Sequence, residues 1–547
     1  MRIFTSLIAF LFLAPTLTAQ STSTTLRVYR IFQEKCVQCH DHDSPEAGLD
    51  LQEEGTTESA RAFKVRNNLF NITPANPASA AKGHKYLYPG RVDRSLLFRK
   101  VNQGLEPTLG LDAGENQPMP PYGQPQLTDV EKELIRQWIL FAAPLNGTVV
   151  DEERLETYYS GSAQMAFPDG PPPAPAAGEG FQIKMGPFYV EPGDEIEYFQ
   201  KYELDLPADV EVNRVDVQIG TYSHHFILYD FNPGGDNSIA PGLRLNSNHS
   251  DIGLVAAVQE STDLKLPQGT AFRWDKQLVL DLNSHYINYS STNVYQAETY
   301  VNIYTQPSGT AAQEMKTELI ANGNIPIPNN GSTVTHTQHL TFNLGEVFVW
   351  GLMGHTHKYG TGYKIYRRNP GGQFGELIYD AACAQGVPGC ISPFFDYQHI
   401  PMRYFLPLEP ITFNALYGLI HQASWVNDGP APVGWGPTSD DEMMVMIVMY
   451  TEDTTGVVTG IREVEPIAND VRAYPNPAQD EITFSLPAAA GEVRLQLHDA
   501  TGKVVMQRAG LSAPDFTVRR EGLPAGLYFY HLKGEDGKVR TGKLVFR

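Results

Sequence analysis

The sequence has few cysteines, a deficit of positive charge and no long apolar run beyond its N-terminus. Its 547 residues include only 4 cysteines, too few for a disulfide-stapled scaffold of this length. Lysine and arginine number 41 against 62 acidic residues, and the net charge of −21 argues against a nucleic-acid partner. A spanning helix needs roughly 20 apolar residues, so we expect no transmembrane segment in the mature chain.

Histidine and methionine are better represented, with 15 and 12 residues. The 48 glycines and 40 prolines are typical of folded, loop-rich β domains. At about 150 residues per domain, the length predicts three to four domains.

The N-terminus has the features of a secretory signal peptide. Arg2 precedes the apolar run 7–13, and the small residue Ala19 stands where cleavage is expected. The run is too short to span a membrane. We therefore expect residues 1–19 to be removed and the mature protein to lie outside the cytoplasm.

The residue pattern of the rest of the chain changes several times between helical, proline-rich and β-strand types. A capping box, Thr128 with Glu131, begins a helix with apolar residues at helical spacing. Further on, short β runs alternate with turn-rich segments, as in antiparallel sandwiches. The predicted segments are an all-α domain at 20–147, a Pro-rich linker at 148–180, a mainly β region at 181–452, a linker at 453–470 and a small β-sandwich at 471–547.

The all-α segment contains a Cys-x-x-Cys-His motif. Cys36 and Cys39 have the spacing that attaches one haem c covalently, and His40 would coordinate its iron. Met119, in a Met-Pro-Pro loop, suits the opposite side of the iron. With its closing helix, this segment resembles class I c-type cytochromes. His84 competes with Met119 as sixth ligand.

Met/His ligation leaves no open position on the iron, so the expected role of the haem is electron transfer. An external donor would then reduce it. Any chemistry on a substrate falls to the β region.

The β region contains an ordered set of soft and imidazole ligands: His224, His225, His285, His355, His357 and Met443. Residues i and i+2 of a strand share a face, so His355 and His357 can reach one ion. Adjacent histidines share one only at a strand end or bulge. Imidazoles with a thioether and no thiolate favour copper. Each element alone also has a structural interpretation, since methionines fill cores well.

That order resembles the type II copper monooxygenases, the family of peptidylglycine α-hydroxylating monooxygenase and dopamine β-monooxygenase. The resemblance implies two jelly-roll subdomains, at 181–318 and 319–452, with two copper ions. It implies an electron-transfer copper on His224, His225 and His285. It also implies a copper on His355, His357 and Met443, where O2 and substrate react.

The sequence departs from the family at the substrate clamp. Met353 and Ile447 stand where peptidylglycine enzymes have an arginine and a tyrosine, so the peptide substrate is not implied. Cys383 and Cys390 are expected to form a local disulfide, which suits an oxidising compartment. The remaining histidines, among them His336, His339, His399 and His421, are expected at the surface, in the core or around the metal ligands.

The last segment opens with Ala473-Tyr-Pro-Asn-Pro and ends in Gly542-Lys-Leu-Val-Phe. It resembles the C-terminal sorting domain of the type IX secretion system. The resemblance implies that the secretion machinery is a partner and that the protein is exported through the periplasm to the cell surface or extracellular space. A carbohydrate- or partner-binding module is the alternative.

Together these features predict an exported copper-dependent monooxygenase that hydroxylates a C–H bond of an unknown organic substrate with O2. Electrons would come through its own haem domain. A non-catalytic electron-transfer or copper-binding protein is the alternative, and a β-sandwich adhesin is a third possibility.

Overall fold

The computed structural model describes residues 23–161, 163–249, 251–383, 392, 394–397, 401–436, 441–458, 470–499, 504–534 and 538–547. The expected signal peptide, His399 and Cys390 lie outside these residues. The chain forms two compact units, Met1–Phe405 with Glu409–Val458 and Leu406–Leu408 with Thr459–Arg547. The prediction of a mainly β chain with several sheets is confirmed.

The first part of the chain is helical. Its helices are α1 (Thr24–Lys35), α2 (Glu58–Leu69), α3 (Pro77–Ala81), α4 (Leu96–Val101), α5 (Asp129–Leu140) and α6 (Glu152–Tyr159). Helix α5 begins with the predicted capping box, in which Thr128 and Glu131 each bond the other's backbone N–H. Its apolar stripe, including Ile135 and Trp138, is fully buried. No described helix is long and apolar enough to cross a membrane.

Two sheets follow and pack face to face. Their strands are β1 (Ala163–Met165), β2 (Gly180–Val190), β3 (Glu195–Glu203), β4 (Val210–Ile219), β5 (Ser223–Phe231), β6 (Gly242–Arg244), β7 (Ile252–Val258), β8 (Thr262–Lys265), β9 (Thr270–Trp274), β10 (Val279–Ile287), β11 (Val294–Pro307) and β12 (Gln313–Glu314). One sheet has the order β1-β11-β4-β9-β12, with β2 on β11 and β8 on β4. The other has the order β6-β3-β10-β5-β7. The sheets meet where the Tyr286 hydroxyl donates to the Glu298 carbonyl over 2.7 Å.

A second pair of four-stranded sheets shares one core. The strands are β13 (Lys316–Ala321), β14 (Thr333–Leu340), β15 (Gly345–His355), β16 (Gly360–Asn369), β17 (Gln373–Asp380), β18 (Arg403–Phe413), β19 (Gly418–Val426) and β20 (Val445–Thr451). Their orders are β13-β20-β15-β18 and β14-β19-β16-β17. Leu352, Tyr363 and Trp425 lie in the core between them. Strands β20 and β15 are the two inner strands of the first of these sheets.

An apolar cluster joins the two sandwiches. Phe199, Tyr229 and Leu254 of the first sandwich pack against Met353, Val445 and Ile447 of the second. Because buried apolar area stabilises such contacts, this cluster fixes strands β3, β5 and β7 close to β15 and β20.

The helical part packs against the first sandwich. Lys184 of β2 pairs with Glu106 over 2.6 Å, and Gln137 of α5 donates to the Pro187 carbonyl over 2.7 Å. Gly90, with a positive φ of 76°, approaches Gly242 so closely that an added Cβ would lie 2.6 Å from its nitrogen. Only glycine fits such a contact.

The range 148–180, expected to be a linker, contains α6 and β1 ahead of its Pro-rich stretch. Strand β1 pairs in parallel with β11, and the ring of Tyr158 contacts that of Tyr189 on β2, with centroids 5.1 Å apart. These contacts order the first half of the range against the sandwich.

The C-terminal unit contains two sheets around its own core. Its strands are β21 (Arg472–Tyr474), β22 (Glu481–Ser485), β23 (Glu492–His498), β24 (Val504–Ser512), β25 (Asp515–Arg519), β26 (Gly526–Gly534) and β27 (Val539–Phe546). The sheet orders are β21-β22-β25 and β24-β23-β26-β27. Phe484, Leu495 and Leu544 are fully buried between them.

Candidate functional site: two histidine sets on one cleft, and a thiol-lined cavity

A cavity of about 300 Å³ lies at the end of α1. Cys36 caps that helix, and Cys39 and His40 follow in the next turn, so all three line the cavity. Both cysteines are free thiols. His40 Nδ1 lies 3.1 Å from the Leu49 carbonyl. Since a carbonyl only accepts, Nδ1 carries the proton and Nε2 is left as the ring nitrogen able to bind a metal.

Met119 lines the same cavity from a different segment. Its backbone is held at both ends, because its N–H donates to the Lys100 carbonyl over 2.9 Å and its carbonyl accepts from Gln103 over 3.0 Å. His84, the competing ligand, is not among the described residues that line the cavity. Its Nδ1 lies 3.1 Å from the buried Glu115 carboxylate. The donors around the cavity therefore suit a haem with thioether attachment and His/Met ligation.

Burial raises the pKa of the Cys36 thiol to about 12, and the nearby Glu131 carboxylate adds to the rise. The thiol is thus neutral. The other lining side chains include apolar residues such as Leu69, Leu96 and Leu97, which suit a flat apolar ring system.

The predicted three-histidine set comes together on strands β5 and β10. His225 is the register partner of His285, and Ser223 is the partner of Tyr286. His224 is therefore the extra residue of a β-bulge, and the bulge brings the adjacent imidazoles to the same side. One nitrogen from each of the three rings lies within 4.8 Å of the others.

Carboxylates and an amide hold the outer nitrogens of this set. His225 Nε2 lies 3.2 Å from Glu197 and 3.1 Å from the Asn283 side-chain oxygen. His285 Nε2 lies 2.7 Å from Glu195. Carboxylate partners of this kind orient histidines that bind a metal through the other nitrogen. Burial, followed by the neighbouring His225, lowers the pKa of His285 to about 3, so the ring is neutral.

The predicted His-x-His pair lies at the end of β15. The rings of His355 and His357 have centroids 5.1 Å apart, while Thr356 between them is fully buried. His357 Nδ1 lies 3.1 Å from the Asp441 carbonyl, which leaves Nε2 for a ligand. Burial lowers the pKa of His355 to about 3, and the nearby His357 contributes.

A buried carboxylate locks this pair to the strand that follows Met443. Glu442 accepts hydrogen bonds from the His357 N–H over 2.8 Å, the Tyr359 N–H over 2.6 Å and Trp425 Nε1 over 2.7 Å. Burial raises the pKa of Glu442, and the three donors oppose the rise. Because Glu442 immediately precedes Met443, the same contacts fix the start of β20 against the end of β15.

Both ligand sets line one cleft of about 540 Å³ between the two sandwiches. The predicted metal ligands on its wall are His224, His225, His285, His355, His357 and Met443. The described lining residues include Glu195 and Glu197 but neither lysine nor arginine. Three imidazoles on one side, and two imidazoles with a thioether on the other, form donor sets that suit copper.

The two clamp positions have different surroundings. Met353 lines the cleft, beside the His-x-His pair. Ile447 is 5% exposed and packs in the cluster between the sandwiches. Neither can pair with a carboxylate, so the cleft has no family-type anchor for an acidic substrate at these positions.

Several residues around the cleft were missed from sequence. Glu195, Glu197 and Glu442 contact predicted ligands, and His249 lies on the cleft wall with its Nδ1 2.8 Å from the buried Asp281. Asp281 could have been recognised from the sequence, because an acidic residue inside the buried strand β10 requires a partner. The others are ordinary polar residues in sequence.

Among the described residues, His336, His339, His421 and Cys383 line neither cavity. His421 is fully buried between the Tyr363 hydroxyl and Gln338, and His336 Nε2 contacts the Pro326 carbonyl over 3.0 Å. His339 is exposed on β14. Cys383 is disulfide-bonded.

Comparisons with known proteins give no information on the chemistry of the two sites. No curated protein matches the chain. Among solved structures, the chain has 9% identity and a TM-score of 0.12 to a β-D-glucuronidase of Dictyoglomus thermophilum, over 42% of this chain and 43% of that chain. It has 9% identity and a TM-score of 0.13 to a biofilm-associated protein BSP domain, over 68% of this chain and 84% of that one. The chain thus spans less than half of the glucuronidase.

A third structure, of the Gx strain of infectious bursal disease virus, has 12% identity and a TM-score of 0.12, over 52% of this chain and 78% of that chain. By contrast, residues 472–547 match the family described as secretion system C-terminal sorting domain. This confirms the predicted sorting domain and the secretion machinery as a partner. The protein is therefore exported to the cell surface or the extracellular space, and its C-terminal segment is a sorting domain.

Proposed function

We propose that this protein is a copper-dependent monooxygenase that hydroxylates a C–H bond with O2 and has its own haem domain as electron source. The observation that carries the proposal is the meeting of the two ligand sets on one cleft, one from each sandwich. A mononuclear structural site would need neither a second set nor solvent access. In this proposal the helical segment is a cytochrome c domain and the two sandwiches are jelly-roll subdomains.

Copper bound at both sets would supply the one-electron chemistry that couples O2 reduction to hydroxylation. The chain's own residues would hold the copper ions and orient the ligand side chains. Glu195 and Glu197 fix the rings of His285 and His225, and Glu442 fixes the backbone of His357. The cleft admits solvent and a substrate to the same space.

The haem proposal is supported by the thiol-lined cavity, where Cys36 and Cys39 would attach the ring and His40 and Met119 would ligate the iron. Such a haem supplies a one-electron couple without an open ligand position. The hydrogen bond from His40 Nδ1 to the Leu49 carbonyl keeps Nε2 unprotonated for that purpose.

The first experiment is metal and haem quantification, followed by substrate-dependent O2 uptake with copper-loaded full-length protein. We expect one iron and two copper ions per chain, and we expect Met443→Ile and His357→Ala to abolish the uptake. His339→Ala, an exposed histidine on the same sandwich, is the matched control and keeps full activity. Unchanged uptake in Met443→Ile and His357→Ala would refute the proposal.

A second candidate is a non-catalytic electron carrier or copper-binding protein. Met353 on the cleft wall favours it, because the family's substrate-holding arginine is absent there. Two coppers per chain without O2 uptake on any substrate would support this candidate. Iron without copper would support the adhesin instead.

A further inference from the structure

An aspartate–histidine pair lies on the cleft wall apart from the two ligand sets. His249 Nδ1 is 2.8 Å from Asp281 Oδ2, and the Asp281 side chain is fully buried on β10. Arg244 also pairs with Asp281, through two nitrogens. A buried carboxylate requires such partners, so the arrangement is built into the fold.

The ring of His249 is also fixed by aromatic contacts. It lies edge-on to Phe199, with centroids 5.5 Å apart, and to Tyr229, with centroids 4.8 Å apart. Arg244 donates to the Ser247 carbonyl over 2.9 Å and so holds the loop that carries His249. A ring held in this way loses little conformational entropy when it binds a ligand.

The hydrogen-bond pattern sets the chemistry of the free nitrogen. A carboxylate oxygen only accepts, so His249 Nδ1 carries the proton. Within the described residues, Asp281 is the one hydrogen-bond partner of this ring. Nε2 is then an acceptor available to the cleft, which His249 lines together with both ligand sets.

The surrounding wall restricts the ligand further. The rings of Phe199 and Tyr229 flank His249, and Ile227 and Met353 add apolar surface to the cleft, which also has the polar Asn246 and Ser247 on its wall. The described cleft residues include no lysine or arginine that could pair with a carboxylate.

We propose that His249 binds the hydroxyl or N–H group of a neutral substrate with an apolar body, and that the described side chains of the cleft offer no lysine or arginine to hold a carboxylate. This inference rests on the proposed function, because it names the substrate class of the same cleft. It makes His249 a substrate-binding residue, with Asp281 as the positioning residue that selects its tautomer.

The test uses the full-length secreted chain with copper removed, and saturation-transfer NMR titration with four probes. These are phenethyl alcohol, phenylacetamide, phenethyl methyl ether and phenylacetate. A hydrogen bond of about 1 kcal/mol corresponds to about fivefold in affinity. We expect the alcohol and the amide to bind about fivefold more tightly than the ether, and phenylacetate to bind most weakly.

His249→Phe keeps an aromatic ring and removes the acceptor, so the preference over the ether should disappear while the ether itself still binds. Asp281→Asn would reverse the tautomer, because the amide can donate to Nδ1, and should also abolish the preference. His339→Phe, outside the cleft, is the control and keeps the wild-type pattern.

Equal binding of alcohol and ether by the wild type, or a preference that survives in His249→Phe, would overturn the inference. Binding of phenylacetate as tight as that of the alcohol would overturn the assignment of a neutral substrate. Since the titration uses neither copper nor O2, its result is separate from that of the O2-uptake experiment. If the copper-loaded wild type shows no substrate-dependent O2 uptake but the alcohol preference is intact, only the proposed function is refuted.

Discussion

Glu442 offers a sharp test of how the fold positions the His-x-His pair. Its buried carboxylate accepts three hydrogen bonds, from His357 N–H, Tyr359 N–H and Trp425 Nε1. In Glu442→Gln the remaining oxygen can keep the bonds from His357 and Trp425, but the amide nitrogen then faces the Tyr359 N–H. Losing one bond to a charged group costs about 1.5–3 kcal/mol of unfolding free energy.

The same substitution should weaken copper binding at His355, His357 and Met443. Replacing a group that orients a metal ligand typically lowers metal affinity about 10–100-fold. Urea unfolding of the copper-free protein measures the stability, and competition with a chromogenic Cu(I) chelator measures affinity. We expect the affinity of one copper to fall and that of the three-histidine copper to stay constant.

Glu376→Gln is the matched control, because this carboxylate is exposed on β17 and pairs only with Arg367 among the described residues. It should change neither quantity measurably. A Glu442→Gln protein as stable as the wild type would refute the stabilising role assigned to these hydrogen bonds. A less stable variant with unchanged copper affinity would show that Glu442 supports the fold without positioning His357.

Three further predictions concern other parts of the chain. Met119→Leu should leave haem attachment intact but lower the reduction potential of the haem and remove its sulfur-to-iron absorbance; an unchanged spectrum would exclude Met119 as ligand. Burial lowers the pKa of His421 to about 4, so protonation favours the unfolded state. The free energy of unfolding should therefore fall by up to about 3 kcal/mol as the pH drops from 6.5 towards 4, and His421→Gln should lose this dependence in urea titrations. Deleting residues 459–547 removes a unit with its own core; haem and copper content should stay constant while surface labelling of cells is lost, and continued display would contradict the sorting role.

Sequence patterns predicted the local elements well where the signal was short-range. The capping box at Thr128 placed the start of α5, and the apolar run 445–450 corresponds to β20, Val445–Thr451. The sorting domain was likewise recognisable, because its turn residues and alternating strands lie within one stretch of 76 residues, 472–547. The prediction that the protein is exported therefore required no knowledge of tertiary contacts.

The range expected as a Pro-rich linker, 148–180, contains elements that the sequence did not predict. Proline content predicted an extended connection over 170–178, and α6 and β1 form ahead of it. The Asp151 side chain caps α6, and Tyr158 is buried against the first sandwich. Burial against a distant strand decided this segment, and composition carries no record of such a contact.

The candidate ligands were named from the sequence, but their arrangement was not. Residue type and order identified imidazoles, thioethers and thiols, because donor chemistry is a property of each side chain. Two features depend on strands that pair across long stretches of chain. One is the bulge that moves His224 out of register, and the other is the position of Met443 on the cleft lined by His357. Spacing in sequence fixes neither.

What the sequence alone determined is therefore the chemistry available and the export of the protein. What only the tertiary structure decided is which groups share a space: two ligand sets on one cleft, the Glu442 carboxylate behind His357, and His249 held by Asp281. The physical reason is that capping and strand alternation act over a few residues, whereas a buried charge and its partners are joined by the packing of whole sheets.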